Sequence, residues 1–226
     1  MKRLVTATIL LLCLIPPWLG LSAHTAPEAS QFQPPEARSV TEFPIPLNDM
    51  ASGTVVLDVR ISPEGEVVNV QVRRDITGET EEAVRAAKTW IFEPAKLNGK
   101  AVKSRISIAV TFNPAPPLAE DIPLPPLIHQ DDVARTQSAF QPPEVTRATF
   151  PAYPLAAFSP DTVILEANVN QVGRAVGAKT LRDAPPFTTA ALSAIAGWRF
   201  LPATLNGKPI ESKVILVFCF RQPVAP

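Results

Sequence analysis

The stretch WIFEPAKLNGK, Trp90–Lys100, returns almost unchanged as WRFLPATLNGK, Trp198–Lys208. The offset between the two stretches is 198 − 90 = 108 positions, and FQPPE keeps the same offset between Phe32–Glu36 and Phe140–Glu144. Chance does not hold one spacing over so many positions. The sequence therefore contains an internal duplication, and such a repeat decides the architecture before any fold is assigned.

The repeat divides the 226 residues into two modules with proline-rich joints. Each module has about 70 residues, which is near the lower size limit for a core that stands alone. The joints are so rich in proline that we expect extended linkers without a core of their own. The predicted segments are a signal peptide (1–23), a linker (24–42), module one (43–113), a second linker (114–149), module two (150–222) and a tail (223–226).

The first 23 residues have the pattern of a secretory signal. Lys2 and Arg3 precede an apolar run, Leu4–Ile15, which is interrupted by Pro16–Pro17 and followed by small residues at Leu21–Ala23. The alternative is an uncleaved inner-membrane anchor, because the apolar length read through the prolines approaches the roughly 20 residues of a spanning helix. We therefore expect a periplasmic protein, with a membrane-anchored protein that faces the periplasm as the alternative.

Charge and cysteine content narrow the classes of partner. Without Lys2 and Arg3 the balance is 19 basic minus 21 acidic residues, or −2. Such a chain has no basic field for nucleic acid, and we expect membrane association only if the N-terminal segment is uncleaved. Beyond the predicted signal only Cys219 remains, so we expect no internal disulfide.

The periodicity of each module predicts an α+β fold in the order β-β-α-β. In module one, Val55–Ile61 alternates between apolar and polar residues, and a second alternating run follows a turn at Gly65. Apolar residues then recur at helical spacing up to Trp90, and Asn98–Gly99 is a strong hairpin signal. We predict two copies of a small antiparallel sheet, each with one helix on one face, joined by the proline-rich linker. Trp90 and its equivalent in module two are predicted to fill the core under the helix.

The outward rows of the two last strands differ. In module one this row reads Arg105, Ser107, Ala109 and Thr111, which suits contact with water. In module two the equivalent row reads Lys213, Ile215, Val217 and Cys219, which forms an apolar patch that a soluble protein covers or uses. We predict that the sheet of module two is covered on both faces and that of module one on only one. Lys213, Ile215 and Val217 are therefore candidate partner-binding residues.

An ordered set of marks resembles the TonB C-terminal domain family. The marks are YPLAA at Tyr153–Ala157, the helix exits AVRAAKTWIFEPA (Ala83–Ala95) and ALSAIAGWRFLPA (Ala191–Ala203), and the turns NGKAV (Asn98–Val102) and NGKPI (Asn206–Ile210). The resemblance implies a periplasmic domain that binds a peptide segment of an outer-membrane transporter or another envelope protein by adding a strand to its sheet. It also suggests coupling to TonB-type transport. The alternative is a structural protein of the cell envelope whose modules pack or dimerise.

Only module two keeps the aromatic–proline pair of the family, as Tyr153 and Pro154. We therefore predict that module two captures the peptide, that module one is degenerate, and that Tyr153 and Pro154 take part in binding. A competing interpretation, that Tyr153 only staples the chain to the helix, stays open at this stage.

Nothing in the sequence indicates catalysis. The two histidines are His24, at the signal junction, and His129, in HQDD of the second linker; neither has a second ligand at metal-binding spacing. No nucleophile, metal-protease or phosphate-loop motif occurs. We expect a protein that is not an enzyme and that has no metal and no cofactor.

Overall fold

The computed structural model describes residues 31–41, 43, 52–113, 121–122, 124–128, 139–155, 157 and 159–221. All of them lie in one compact unit, Gln31–Pro226. The predicted signal peptide and the HQDD string fall outside the described residues.

The predicted order of elements is found in both modules. The first half of the chain contains β1 (Phe32–Gln33), β2 (Glu36–Ser39), β3 (Gly53–Ile61), β4 (Val67–Arg74), α1 (Thr80–Ala87), β5 (Ile91–Glu93), β6 (Lys96–Leu97), β7 (Lys100–Ala101), β8 (Ser104–Asn113) and β9 (Asp121–Ile122). The second half contains β10 (Phe140–Gln141), β11 (Glu144–Thr149), β12 (Asp161–Val169), β13 (Ala175–Arg182), α2 (Phe187–Ala194), β14 (Arg199–Leu201), β15 (Ala203–Leu205), β16 (Lys208–Ile210) and β17 (Ser212–Phe220).

Two glycines fix the turn between the first two long strands of each module. Gly65 and Gly173 have φ of 91° and 75°, in the left-handed region. A Cβ at Gly65 would clash with the carbonyl oxygen of Phe92, and a Cβ at Gly173 would clash with that of Phe200. The N–H of each phenylalanine also donates to the carbonyl of its glycine at 2.9 Å, which holds the two backbones close together. Only glycine satisfies both conditions. The predicted Asn-Gly hairpin is also present, because Asn98 has a φ of 51° and is followed by a glycine with positive φ.

The prediction of two separate antiparallel sheets is wrong, because the long strands of the two modules form one continuous sheet in the order β13-β12-β17-β8-β3-β4. The junction is the parallel pair β8–β17, in which Val214 pairs with Ser107 and Ile215 with Ile108. The pairing offset, 214 − 107 = 107, is one less than the repeat offset of 108. Because side chains alternate between faces along a strand, this odd difference turns the two modules over relative to each other.

As a result, each face of the sheet has a core that both modules build. One core contains the buried face of α1, Trp90 and Phe112 together with module two residues Ile164, Ile215, Val217 and Cys219. The other contains the buried face of α2, Trp198 and Phe218 together with module one residues Val56 and Ala109. The prediction that both tryptophans fill the core is confirmed, since Trp90 and Trp198 are 2% and 0% exposed.

The predicted difference between the outward rows is half right. The sheet of module two is covered on both faces, because Ile215, Val217 and Cys219 are each 0% exposed. The prediction that one face of module one meets water is wrong, because Arg105, Ser107, Ala109 and Thr111 are all buried. The polar members of this row are accommodated by pairing: Arg105 bonds Asp58, and Thr111 bonds Thr54 at 3.0 Å.

The described parts of the two proline-rich segments are not simple spacers. The Phe residues of the two FQPPE strings begin β1 and β10, which pair with the Asn-Gly hairpins through β6 and β15. The rings of Phe32 and Phe140 lie 4.6 Å apart, so the two segments also meet each other. Ala37 and Val145 in the following strands are buried in the two cores. These segments therefore contribute to folding in spite of their proline content.

Candidate functional site

The edges of the six-stranded sheet are the places where a further strand could add. The last strands β8 and β17 offer no edge, because each is paired on both sides. The two outer strands are β4 and β13. At the end of β4, Ile128 donates its N–H to the carbonyl of Arg73 at 2.9 Å, so residues 124–128 of the second linker cover that end. No further described strand pairs with either outer strand, and along β13 (Ala175–Arg182) no backbone hydrogen bond like that of Ile128 joins the described residues to the outer edge.

The predicted partner-binding residues Ile215 and Val217 lie inside the molecule. Both are 0% exposed and contact the core that contains α1 and Trp90. Burying each of them stabilises the fold by about 1.5–3 kcal/mol. The cover on this patch is module one, and a separate partner could reach it only if the two modules came apart.

Lys213, the third residue of that predicted surface, is held by two carboxylates. Its Nζ lies 3.0 Å from Oε1 of Glu166 and 2.7 Å from Oε1 of Glu36. The other oxygen of Glu166 accepts the backbone N–H of Ala37 at 2.7 Å. Burial alone would lower the pKa of Lys213, but the hydrogen bonds and charges of Glu36 and Glu166 outweigh it and raise that pKa. This ion-pair group ties β2, which precedes module one, to the sheet of module two.

An equivalent ion pair stands in module one. Subtracting 108 from Glu166 and Lys213 gives Asp58 and Arg105, which form two bonds of 2.9 and 2.8 Å with side chains only 2% and 5% exposed. Strand alternation did not predict either pair, because it assigned Arg105 to a row in contact with water and Lys213 to a row that binds a partner. The sequence does contain a sign of these pairs, because a carboxylate on the first strand and a cation on the last strand recur at the repeat offset of 108 in both modules.

A third ion pair, without an equivalent, links the modules at the opposite end of β17. The carboxylate of Glu79, which immediately precedes α1, bonds the guanidinium of Arg221, and both side chains are buried. Arg221 also lies over the ring of Phe112, 5.1 Å from its centroid. Removing one member of such a pair leaves a buried charge uncompensated, so the contact strongly resists separation of the modules.

Tyr153 packs against α2 and the end of β17, and Pro154 lies in a turn. The Tyr153 ring is partly buried and meets Phe187 and Phe220 edge-on, with centroid distances of 5.5 and 6.1 Å. Burial raises the pKa of its hydroxyl. The carbonyl of Pro154 accepts the N–H of Ala157 at 3.0 Å in a local turn. The structure thus brings Tyr153 to the core that contains α2 and not to the patch of Ile215 and Val217.

The described residues contain no group of three or more His, Cys, Asp or Glu side chains that could hold a metal ion. His24 and His129 lie outside those residues. Cys219 is a free, fully buried cysteine, and burial raises the pKa of its thiol to about 12. A thiol with that pKa carries almost no thiolate at neutral pH and is a poor nucleophile.

No helix within the described residues is long and apolar enough to cross a membrane.

Comparison with curated proteins and with solved structures gives no match. One family matches, the Gram-negative bacterial TonB protein C-terminal, and it covers residues 49–114. This span corresponds to module one, the copy that we predicted to be degenerate, and capture of the peptide by module two stays a prediction. TonB C-terminal domains are periplasmic domains of Gram-negative bacteria. The chain therefore carries, in residues 49–114 from the approach to β3 through β8, a domain of the TonB C-terminal family.

Proposed function

We propose that this chain is an exported periplasmic protein with two TonB C-terminal-like modules. In this proposal it binds an extended peptide segment of an outer-membrane transporter or another envelope protein by β-strand addition. The outer edge of β13 carries the proposal, because neither a described strand nor a described linker residue bonds its outer backbone groups. An unpaired edge presents a row of N–H and C=O groups to which an extended peptide can bond. The proposal includes no enzymatic activity and no cofactor.

The choice of β13 follows from what the other strands already contact. The last strands are paired with each other, and the end of β4 is covered by residues 124–128. On β13, Val176 is 63% exposed, and Lys179 and Thr180 are exposed as well. The proposal keeps peptide capture on module two but moves it from Ile215 and Val217, which are buried, to the opposite edge of the same module.

A scan with N-methylated peptides tests strand addition directly. The peptide is a TonB box, the short segment of an outer-membrane transporter that TonB C-terminal domains bind, with about eight residues to match the length of β13. It is titrated into the ¹⁵N-labelled chain without residues 1–23. Both modules are kept together because they share their cores. We expect amide shifts along Ala175–Arg182 and loss of binding when alternate peptide nitrogens are methylated, since only every second N–H faces the sheet. If methylation abolishes binding at every peptide nitrogen, or at none of them, strand addition is refuted.

Photo-crosslinking in cells identifies the partner. Val176 and Val68 stand at equivalent bulges of β13 and β4, and each is 63% exposed. A photoreactive residue at Val176 is expected to crosslink a transporter or another envelope protein, whereas the matched residue at Val68 is not. Equal crosslinking from both positions would mean that β13 has no special role.

The second candidate is an envelope assembly protein without a peptide-binding role. The observation that favours it is the pairing of β8 with β17, which uses two strand edges inside the chain. If no peptide binds and sedimentation shows an oligomer that forms with rising concentration, the assembly function replaces peptide capture.

A further inference from the structure

Two equivalent surfaces of the modules carry opposite charges. Each surface surrounds the bond between the turn glycine, Gly65 or Gly173, and the buried phenylalanine of the side strand, Phe92 or Phe200. The four residues that flank this bond are Glu64, Glu66, Ile91 and Glu93 in module one, and Val172, Arg174, Arg199 and Leu201 in module two. We call the first set the acidic face and the second set the basic face.

The same backbone arrangement accommodates both signs of charge. Glu66 forms a β-bridge with Ile91 in the acidic face, and Arg174 forms the equivalent bridge with Arg199 in the basic face. Two like charges that stand opposite each other destabilise a sheet, and the pair of arginines therefore has a cost. Because module one folds without this pair, the fold does not require positive charge at these positions.

Both faces also expose apolar side chains among their charges. Val172 is 75% exposed, Leu201 is 56% exposed and Ile91 is 47% exposed. The positions equivalent to Val172 and Leu201 carry glutamate in module one, so the fold does not need apolar residues there either. Exposed apolar residues that are grouped among charged ones are typical of a protein–protein contact surface.

Charges that border the two faces do not reverse the contrast between them. Lys96 bonds Glu93 at 3.1 Å, and Arg38 is exposed on β2, the strand that pairs with β5. The acidic face thus has three carboxylates against two bordering cations. On the other side, Arg147 of β11 is exposed and stands opposite Arg199 in the strand register, which adds a third cation to the two of the basic face.

We propose that the acidic face of one copy of this chain docks on the basic face of a second copy. Charge complementarity selects this occupant, because each face presents the charges that the other one attracts. Docking also removes the apolar side chains Ile91, Val172 and Leu201 from water. Neither face contains a residue of β13, so this contact does not depend on the proposed peptide binding.

The positions of the faces determine the kind of assembly. Phe92 packs into the core that contains α1, and Phe200 packs into the core that contains α2, so the two faces lie on opposite sides of the sheet. One copy can therefore use both faces at the same time. Such a head-to-tail contact adds further copies until the assembly closes into a ring.

Sedimentation of the chain without residues 1–23 tests the contact over a range of protein concentrations. We expect the average mass to rise with concentration. Raising NaCl to about 1 M, where the Debye length is about 3 Å, is expected to weaken the association at least tenfold. A mass of one chain at every concentration, or an association that salt leaves unchanged, would overturn the proposal.

Two variants block one face each with the residue that the other module already has. Arg174→Glu changes the basic face, and Glu66→Arg changes the acidic face. Each variant alone is expected to stay at the mass of one chain, because only one of its faces still fits a partner copy. An equimolar mixture is expected to form a one-to-one complex through the two unchanged faces. A mixture that stays at the mass of one chain would overturn the contact.

Lys208→Glu is the matched control, because Lys208 is exposed, lies outside both faces and undergoes the same change of charge as Arg174→Glu. It is expected to associate like the natural chain, and an equal loss of association would contradict a specific contact. Urea midpoints check that the variants fold, and Leu201→Glu, also the residue of module one, replaces Arg174→Glu if that variant does not. In cells, a photoreactive residue at Val172 is expected to crosslink a second copy, and crosslinks to other proteins alone would overturn the proposal.

Discussion

The buried thiol of Cys219 makes the shared core measurable through pH. Burial raises the pKa of this thiol in the folded chain to about 12, from an ordinary value of 9.0. Below pH 9 both the folded and unfolded states hold the proton, so the stability from this group is fully present. Between pH 9 and 12 the unfolded state alone releases the proton, and the unfolding free energy falls by about 1.4 kcal/mol per pH unit.

The expected loss at pH 10 relative to pH 8 is about 1.4 kcal/mol from Cys219 alone. The measurement is urea unfolding at both pH values for the natural chain and for Cys219→Ala. The alanine variant has its own packing cost, but that cost does not depend on pH. Tyr153 and Lys213 also have raised pKa values, yet both proteins contain them, so their contributions cancel in the difference.

Two results would refute the reasoning. If the natural chain and Cys219→Ala lose the same free energy between pH 8 and pH 10, the thiol is not buried in the folded state. Rapid labelling of Cys219 by a thiol reagent in the folded, monomeric chain would show the same. We expect slow labelling that becomes fast on unfolding, measured on a chain without the predicted signal, which contains Cys13.

Three further predictions concern stability, each measured by urea unfolding. Gly173→Ala is expected to lower the unfolding free energy by more than 3 kcal/mol, because the added Cβ clashes with backbone and the φ is unfavourable for alanine. Gly207→Ala has the same unfavourable φ but open space around the Cβ, so it should lower the unfolding free energy by only about 1–2 kcal/mol. Equal losses for the two variants would contradict the clash. Ile215→Ala should lower stability by about 2–5 kcal/mol and leave one transition for both modules, and two separate transitions would show that they do not share a core. Lys213→Ala should lower the unfolding free energy by about 3–5 kcal/mol, because it removes the cation that pairs with the buried carboxylate of Glu166. If this loss is smaller in a chain that also carries Glu166→Gln, the ion pair is its cause, and an unchanged loss would exclude the ion pair.

The sequence by itself determined the local elements. The alternation at Val55–Ile61 produced β3, the helical spacing produced α1, and Asn98–Gly99 produced the hairpin, because each depends on neighbours along the chain. The glycine at position 65 was also readable as a turn residue. The same reasoning found the apolar row of module two, since a patch of that kind has to be covered.

Tertiary structure alone decided what covers that row. The register of β8 against β17 pairs residues that are 107 positions apart, one less than the repeat offset of 108. No local pattern along the chain shows whether these two offsets differ by an odd or an even number, and that difference decides which faces of the two modules lie on the same side of the sheet. The odd register turned the modules over, buried Ile215 against the core of α1, and buried the polar row of module one as well. Arg105 could enter the interior because Asp58 lies within hydrogen-bond distance across the sheet, and that pairing exists only after the strands have met.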